Sequence, residues 1–145
     1  MRALKLSAAA ALIGVAGLFS AHAEKSAFEQ AVETGGWQGC VFEEGFAPYP
    51  IILTPRGDDF FVSYPHLECI GGHNIGQSRP GFDATEIIVI DTAGQCATNL
   101  PLTYSMTPAG LRIDYFAGET GTYALLRPVR PGDTAPACNE AEAIS

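Results

Sequence analysis

The chain has 145 residues, among them 8 Lys and Arg side chains and 16 Asp and Glu side chains, which give a formal net charge of −8. This balance excludes binding to nucleic acid or to anionic lipid, because both require clustered basic residues. The length predicts a single domain.

The first 23 residues have the pattern of a cleaved secretory signal. Arg2 and Lys5 precede an apolar stretch from Leu6 to Phe19, and Ala21-His22-Ala23 has the small-x-small pattern of a cleavage site. The apolar stretch of 14 residues is too short to span a bilayer. We therefore expect cleavage after Ala23, a periplasmic or secreted location, no membrane span, and a mature chain of 122 residues with a net charge of −10.

A short helix is predicted within residues 24–34. Ser26 and Glu29 have the spacing of a capping box, in which each side chain bonds the backbone of the other residue. Apolar residues at helical spacing then share one face: Phe28, Ala31 and Val32. Gly35 and Gly36 end the helix.

Residues 35–128 change to alternating or short apolar stretches separated by Gly and Pro turn residues. Eight strands are predicted: Trp37–Glu43, Pro50–Thr54, Asp59–Tyr64, Gly72–Gln77, Ala84–Asp91, Leu100–Thr107, Leu111–Phe116 and Gly121–Arg127. Such a series indicates an antiparallel sandwich or a closed barrel. Because closure removes exposed sheet edges, we predict an all-β fold, a single eight-stranded antiparallel up-and-down barrel.

The four cysteines all follow the signal: Cys40, Cys69, Cys96 and Cys138. An even number in an exported chain predicts two disulfides, for which three pairings are possible. The spacings contain no Cys-x-x-Cys pair and do not match a compact zinc site, so no metal and no cofactor is predicted. Residues 129–145 are predicted to form an irregular tail that a bridge through Cys138 pins to the domain.

The ends of the predicted barrel resemble those of lipocalins and related calycin-type barrels. Gly35-Gly36-Trp37 is similar to the Gly-x-Trp motif that opens the first lipocalin strand, where the Trp closes the barrel floor. Arg127 stands where the closing Arg of that superfamily packs over the Trp. The resemblance covers residues 35–127. It implies structural roles for Trp37 and Arg127 and a small apolar or amphipathic ligand inside the barrel.

Residues 64–72 also resemble the Tyr-Pro-x-Leu-x-Cys-Gly-Gly segment of a functionally obscure family of bacterial exported domains. The other motifs of that family are matched in order by Gly35–Gly39, Glu86, Cys96 and Leu125–Arg127. Ile70 is an extra residue between Cys69 and Gly71 relative to the family pattern, so the resemblance does not fix the conformation of the local turn.

This second resemblance implies a Cys69–Cys96 bridge, which leaves Cys40 to pair with Cys138. The first and last strands are neighbours in a closed barrel, so the second pairing is geometrically reasonable.

Glu86 is the main candidate for a ligand contact. It lies in an apolar strand, and a buried carboxylate needs a partner, which Arg112 or Arg127 would supply unless Glu86 orients a ligand. Tyrosines suit a cavity wall but also an ordinary core. Tyr123 is considered as a cavity residue together with the other tyrosines. The predicted ligand-binding set is Glu86, Tyr64, Tyr104, Tyr115 and Arg112.

His66, Glu68 and His73 form a predicted protein-contact loop. If residues 69–72 make a turn, the three side chains lie near one rim, although no regular spacing makes them converge on a metal ion. The sequence has no Gly-x-Ser-x-Gly elbow, and no catalytic residue is predicted.

The preferred interpretation is a non-enzymatic exported binding module, monomeric or dimeric, that carries a small apolar or amphipathic ligand. The first alternative is an inhibitor or accessory protein that binds a basic exported protein, such as a lysozyme or a protease, through rim loops. The second alternative is a small hydrolase or isomerase that uses His66, Glu68 or Glu86.

Overall fold

The computed structural model describes residues 24–116 and 121–139, so the predicted signal and its cleavage site lie outside the described residues. Helix α1 spans Ala27–Thr34. Eight strands follow: β1 (Trp37–Phe42), β2 (Tyr49–Arg56), β3 (Asp59–Tyr64), β4 (Cys69–Asn74), β5 (Ala84–Asp91), β6 (Leu100–Thr107), β7 (Gly110–Tyr115) and β8 (Thr122–Pro128). Single 3-10 turns, Pro65–Leu67 and Ile75–Gln77, flank β4.

The strands form a closed barrel. Each strand pairs antiparallel with the next, and β8 pairs antiparallel with β1. Trp37 lies opposite Leu53 on one side and Pro128 on the other. The predicted eight-stranded barrel is therefore confirmed, and so are both disulfides, Cys40–Cys138 and Cys69–Cys96.

Period-two alternation places the apolar side chains inside the barrel. In β7 the buried residues Leu111, Ile113 and Tyr115 alternate with the partly exposed Arg112 and Asp114. The same alternation runs through β3 and, from Leu102 to Ser105, through β6, and the inward residues of all strands join one core. Each large apolar side chain buried in this way stabilises the fold by about 1.5–3 kcal/mol.

Helix α1 closes one end of the barrel. The Ser26 hydroxyl accepts the Glu29 backbone N–H at 3.1 Å, which starts the helix as the capping pattern predicts. Phe28 is fully buried, and its ring lies 5.7 Å from the Phe60 ring and 4.7 Å from the Tyr104 ring. The apolar face of the helix therefore plugs the barrel.

Trp37 lies at the same closed end, as the lipocalin resemblance implies. Its indole N–H donates to the Ala31 carbonyl at 2.9 Å, which joins β1 to the helix. Arg127 does not pack as the resemblance implies, because it follows the inward-facing Leu126 and its side chain is exposed on the outer surface. The helix, and not Arg127, covers this end.

Gly39 and Gly71 lie where neighbouring strands come too close for a side chain. A Cβ atom on Gly39 would lie 1.9 Å from the Leu125 carbonyl oxygen, and one on Gly71 would lie 2.0 Å from the Ile87 carbonyl oxygen. Only glycine fits such positions. Gly39 therefore permits the close approach of β1 to β8, and Gly71 permits the close approach of β4 to β5.

Residues 69–72 do not make the turn on which the predicted protein-contact loop depended. These residues form the first part of β4, which begins at Cys69 and not at Gly72, and the end of the predicted strand is a 3-10 turn at Ile75–Gln77. The two glycines favour a turn locally, but β3 and β5 hydrogen-bond this segment on both sides and hold it extended.

Strand β5 ends in a bulge and an exposed apolar surface. Ile70 pairs with Ile90 and Gly71 pairs with Ile88, which leaves Val89 unpaired opposite them. Val89 is 72% exposed and Ile90 is 52% exposed. Both apolar side chains therefore lie at the surface of the barrel.

Candidate ligand-binding cavity

A cavity of about 460 Å³ opens at the barrel end opposite α1. This volume lies in the usual range for small-molecule sites, about 300–1,000 Å³. The lining residues come from six strands and three connections: Glu43, Phe46, Tyr49, Tyr64, Leu67, Glu86, Gln95, Cys96, Ala97, Leu100, Tyr115 and Thr122. Three members of the predicted ligand-binding set, Glu86, Tyr64 and Tyr115, therefore line one cavity.

A chain of hydrogen bonds runs through the barrel beneath this cavity. The Tyr104 hydroxyl lies 2.5 Å from His73 Nδ1, and His73 Nε2 lies 2.7 Å from Glu86 Oε2. The Tyr64 hydroxyl donates to the same Glu86 oxygen, and the Tyr64 oxygen lies 2.8 Å from the Tyr115 hydroxyl. None of the five residues is more than 6% exposed. The network therefore links the core near α1 to the cavity floor.

One proton assignment satisfies the His73 end of this network. A neutral imidazole with its proton on Nε2 donates to Glu86 and accepts the Tyr104 hydroxyl proton at Nδ1. An imidazolium would donate from both nitrogens and leave the Tyr104 proton without an acceptor among the described residues. We therefore assign the neutral imidazole, so that hydrogen bonds and not an ion pair stabilise the Glu86 carboxylate.

The buried tyrosines stay protonated in this environment. Burial, and next the negative charge of Glu86, raise the pKa of Tyr64, Tyr104 and Tyr115 well above 10. Burial and the nearby Glu43 carboxylate likewise raise the pKa of Tyr49. All four phenols therefore act as neutral hydrogen-bond donors at physiological pH.

Glu86 also presents a free acceptor to the cavity. Both of its described side-chain hydrogen bonds end on Oε2. Oε1 accepts no hydrogen bond from the described residues. The described residues contain no fully buried side-chain N or O atom that lacks a partner, so Oε1 is not fully buried. Because Glu86 lines the cavity and its side chain is only 4% exposed, Oε1 is a carboxylate oxygen at the cavity floor.

The cavity mouth is held in place by covalent and polar contacts. The Cys69–Cys96 disulfide ties the β5–β6 connection to β4. The Asp91 carboxylate accepts the backbone N–H groups of Gln95 at 2.9 Å and Cys96 at 3.1 Å. These contacts preorganise one wall of the mouth, which lowers the entropic cost of binding.

Nine of the twelve lining residues lie outside the predicted ligand-binding set, among them Glu43, Phe46 and Tyr49. Tyr49 lies on the inward face of β2 with Ile51 and Leu53, so alternation along that strand would have identified it. Its hydroxyl donates to Glu43 at 3.0 Å. Glu43 and Phe46 lie in the β1–β2 connection, where no periodic pattern marks an inward side chain.

Arg112 is not part of the cavity. It lies on the outer face of β7, where its guanidinium is 2.9 Å from Asp114 Oδ1 and 4.2 Å from the centre of the Tyr123 ring. The predicted pairing of Glu86 with Arg112 or Arg127 is therefore wrong, because strand alternation sends both arginines outward. Tyr123 is likewise outside, and Tyr104 lies below the cavity in the network.

The structure separates the three residues of the predicted protein-contact loop. His66 and Glu68 are exposed on the 3-10 turn after β3, whereas His73 is completely buried on β4. The prediction that His73 shares a contact surface with His66 and Glu68 is therefore wrong. Among the described residues, the one grouping with metal-ligand geometry is Cys69, Asp91 and Cys96, and its two sulfur atoms are joined in a disulfide.

A larger cleft of about 810 Å³ lies on the outer surface between β1, β7, β8 and the tail. Its wall includes Gln38, Leu125, Arg127 and Asp133. None of the Gln, Thr, Arg and Asp side chains that line it is buried, so the cleft lacks the buried polar groups of these types that fix a ligand's orientation. The interior cavity is therefore the stronger candidate site.

The closed eight-stranded antiparallel barrel, plugged by a helix at one end and open at the other, is consistent with a lipocalin-like fold. Comparison with protein-family models, with curated proteins and with solved structures found no significant match. Within the described residues, no helix has the length and apolar character needed to cross a membrane.

Proposed function

We propose that this protein is an exported, non-enzymatic binding module that carries a small amphipathic molecule in the open end of its barrel. The observation that carries the proposal is the cavity of about 460 Å³, which combines apolar walls with a polar floor. The floor consists of Glu86, Tyr64 and Tyr115. A few placed polar groups in an apolar pocket are typical of small-molecule sites.

Export is supported by the two disulfides and by the signal pattern of residues 1–23. The hydrolase or isomerase alternative receives less support. His73 is completely buried beneath Glu86 and does not line the cavity, and His66 lies apart from Glu86 on an exposed turn. The protein-inhibitor alternative loses His73 from its predicted contact loop, because residues 69–74 are a barrel strand, whereas His66 and Glu68 stay exposed on the preceding turn.

The proposal is tested with N-phenyl-1-naphthylamine, an apolar fluorophore that is uncharged at neutral pH. We expect saturable binding of one molecule per chain. Leu100→Trp should weaken binding by about tenfold or more, because the larger ring fills the cavity from its wall. Thr103→Trp is the matched control, since Thr103 lies on the outer face of the same strand.

Native mass spectrometry of protein exported from the full-length chain supplies a second readout. A small molecule retained by the wild type and lost from Leu100→Trp would identify the natural ligand class, and the denatured mass would test cleavage after Ala23. Equal binding by wild type and Leu100→Trp would overturn the proposed function, and so would a wild type that binds neither the fluorophore nor any other small apolar probe.

A further inference from the structure

We propose that the cavity is selective for an organic amine in its protonated form, an ammonium group with at least one N–H attached to a compact apolar body. This inference rests on the proposed function and specifies the ligand's chemistry. It is carried by the charges of the lining residues, by the free oxygen of Glu86 and by the aromatic walls.

The described lining of the cavity carries acidic side chains and no basic one. Its described lining residues include Glu43 near the mouth and Glu86 at the floor, and no Lys, Arg or His. The arginine expected to neutralise Glu86 lies on the outer face, paired with Asp114. A ligand carboxylate or phosphate would therefore meet two carboxylates, and repulsion between like charges is strong at a site of low dielectric constant.

The floor is equipped to accept hydrogen bonds from a cation. Glu86 Oε2 is already occupied by Tyr64 and His73, whereas Oε1 faces the cavity. The Tyr64 hydroxyl has one proton, which it donates to Glu86, so the Tyr115 hydroxyl is the donor in the bond between the two tyrosines. The Tyr115 oxygen therefore remains a second acceptor at the floor. An ammonium group placed here would form a charge-assisted hydrogen bond and compensate a buried carboxylate.

The walls suit the same ligand. Phe46, Tyr49, Tyr64 and Tyr115 all line the cavity, and the rings of Tyr49 and Tyr64 lie 6.0 Å apart at an interplanar angle of 70°. Aromatic faces attract cations and also bury apolar groups. Neutral phenols add no negative charge of their own, so the selectivity for a cation depends chiefly on Glu86.

The test compares three probes that share one apolar body: 1-naphthylmethylamine, 1-naphthalenemethanol and 1-naphthoic acid. Their affinities for the full-length exported protein are measured calorimetrically at neutral pH. We expect the amine to bind about tenfold tighter than the alcohol, and the acid to bind most weakly. This comparison needs no variant and so does not depend on the folding of any mutant.

Glu86→Gln removes the charge and keeps the shape of the side chain. We expect the variant to bind the amine and the alcohol within about threefold of each other, while its affinity for the alcohol stays close to that of the wild type. Glu43→Gln should reduce the preference for the amine by a smaller factor, since Glu43 lies at the mouth. Glu29→Gln, on the exposed face of α1, is the control and should keep the full preference.

The outcomes separate the two proposals. If none of the three probes and no N-phenyl-1-naphthylamine binds, the proposed function fails and this inference fails with it. If the alcohol binds as tightly as the amine, or the acid binds most tightly, only the inference of an amine ligand is overturned. Retention of the full amine preference by a folded Glu86→Gln variant would also overturn it.

Discussion

His73 and Glu86 lie directly opposite each other on β4 and β5, and His73 Nε2 is 2.7 Å from Glu86 Oε2. The pair joins two halves of the barrel interior: Tyr104 and the helix-capped core on the His73 side, and Tyr64, Tyr115 and the cavity on the Glu86 side. The buried carboxylate is thereby held by hydrogen bonds, with no Lys or Arg among its described hydrogen-bond partners.

Replacing His73 with Leu should destabilise the protein by about 2–4 kcal/mol. The substitution removes the donor to Glu86 and the acceptor for Tyr104, and it leaves both groups buried. Urea denaturation measures the effect. The slope of the unfolding free energy against urea concentration should be the same for variant and wild type, which shows that the surface exposed on unfolding is unchanged. The matched control is His66→Leu on the exposed turn, which should change the free energy of unfolding by less than about 0.5 kcal/mol. Equal stabilities of the two variants would contradict a stabilising role for the network.

Stability should decrease as the pH rises above about 10. The pKa of Tyr64, Tyr104 and Tyr115 is raised well above 10 in the folded protein by burial and by Glu86, whereas in the unfolded chain it is about 10. Their contribution to stability is therefore complete below pH 10 and is lost as the pH rises toward the folded-state pKa. Above pH 10 the unfolded chain binds fewer protons, and each phenol lowers the free energy of unfolding by up to about 1.4 kcal/mol per pH unit.

Urea denaturation at several alkaline pH values, combined with phenolate absorbance, checks this prediction. The folded protein should show fewer ionised tyrosines than the unfolded chain at the same pH. Tyr115→Phe should make the decline in stability less steep, because one titrating group is removed. Ionisation of all five tyrosines near pH 10 in the folded state would be incompatible with the buried network.

Gly39→Ala should destabilise the barrel by about 3 kcal/mol or more. The added methyl group would lie 1.9 Å from the Leu125 carbonyl oxygen and 2.7 Å from the Leu126 Cα, so β1 and β8 would have to separate. Thermal and urea denaturation measure the loss. Gly76→Ala is the matched control, because a Cβ atom there has no neighbour within 4 Å. If Gly39→Ala is as stable as Gly76→Ala, close strand contact does not account for the last glycine of the Gly35–Gly39 segment.

Local patterns in the sequence determined the architecture. The alternation of Leu111, Ile113 and Tyr115 with polar residues is a property of a single strand and identifies its inward face without knowledge of its neighbours. The cap at Ser26 and the turn residues between strands are equally local. The number of strands and the helix followed from such signals, the even number of cysteines predicted two disulfides, and the lipocalin resemblance supplied the expectation of a ligand inside the barrel.

Only the tertiary structure decided which residues meet. His73 follows two glycines that read locally as a turn, yet pairing with β3 and β5 makes this segment a strand and points His73 inward. The partner of Glu86 depends on the register of β4 against β5, which no local pattern encodes, and so an arginine was expected where a histidine lies. The sequence by itself thus determined the barrel and its inward faces, because alternation is local. The site depended on register and closure, because these bring together residues that are distant in the chain.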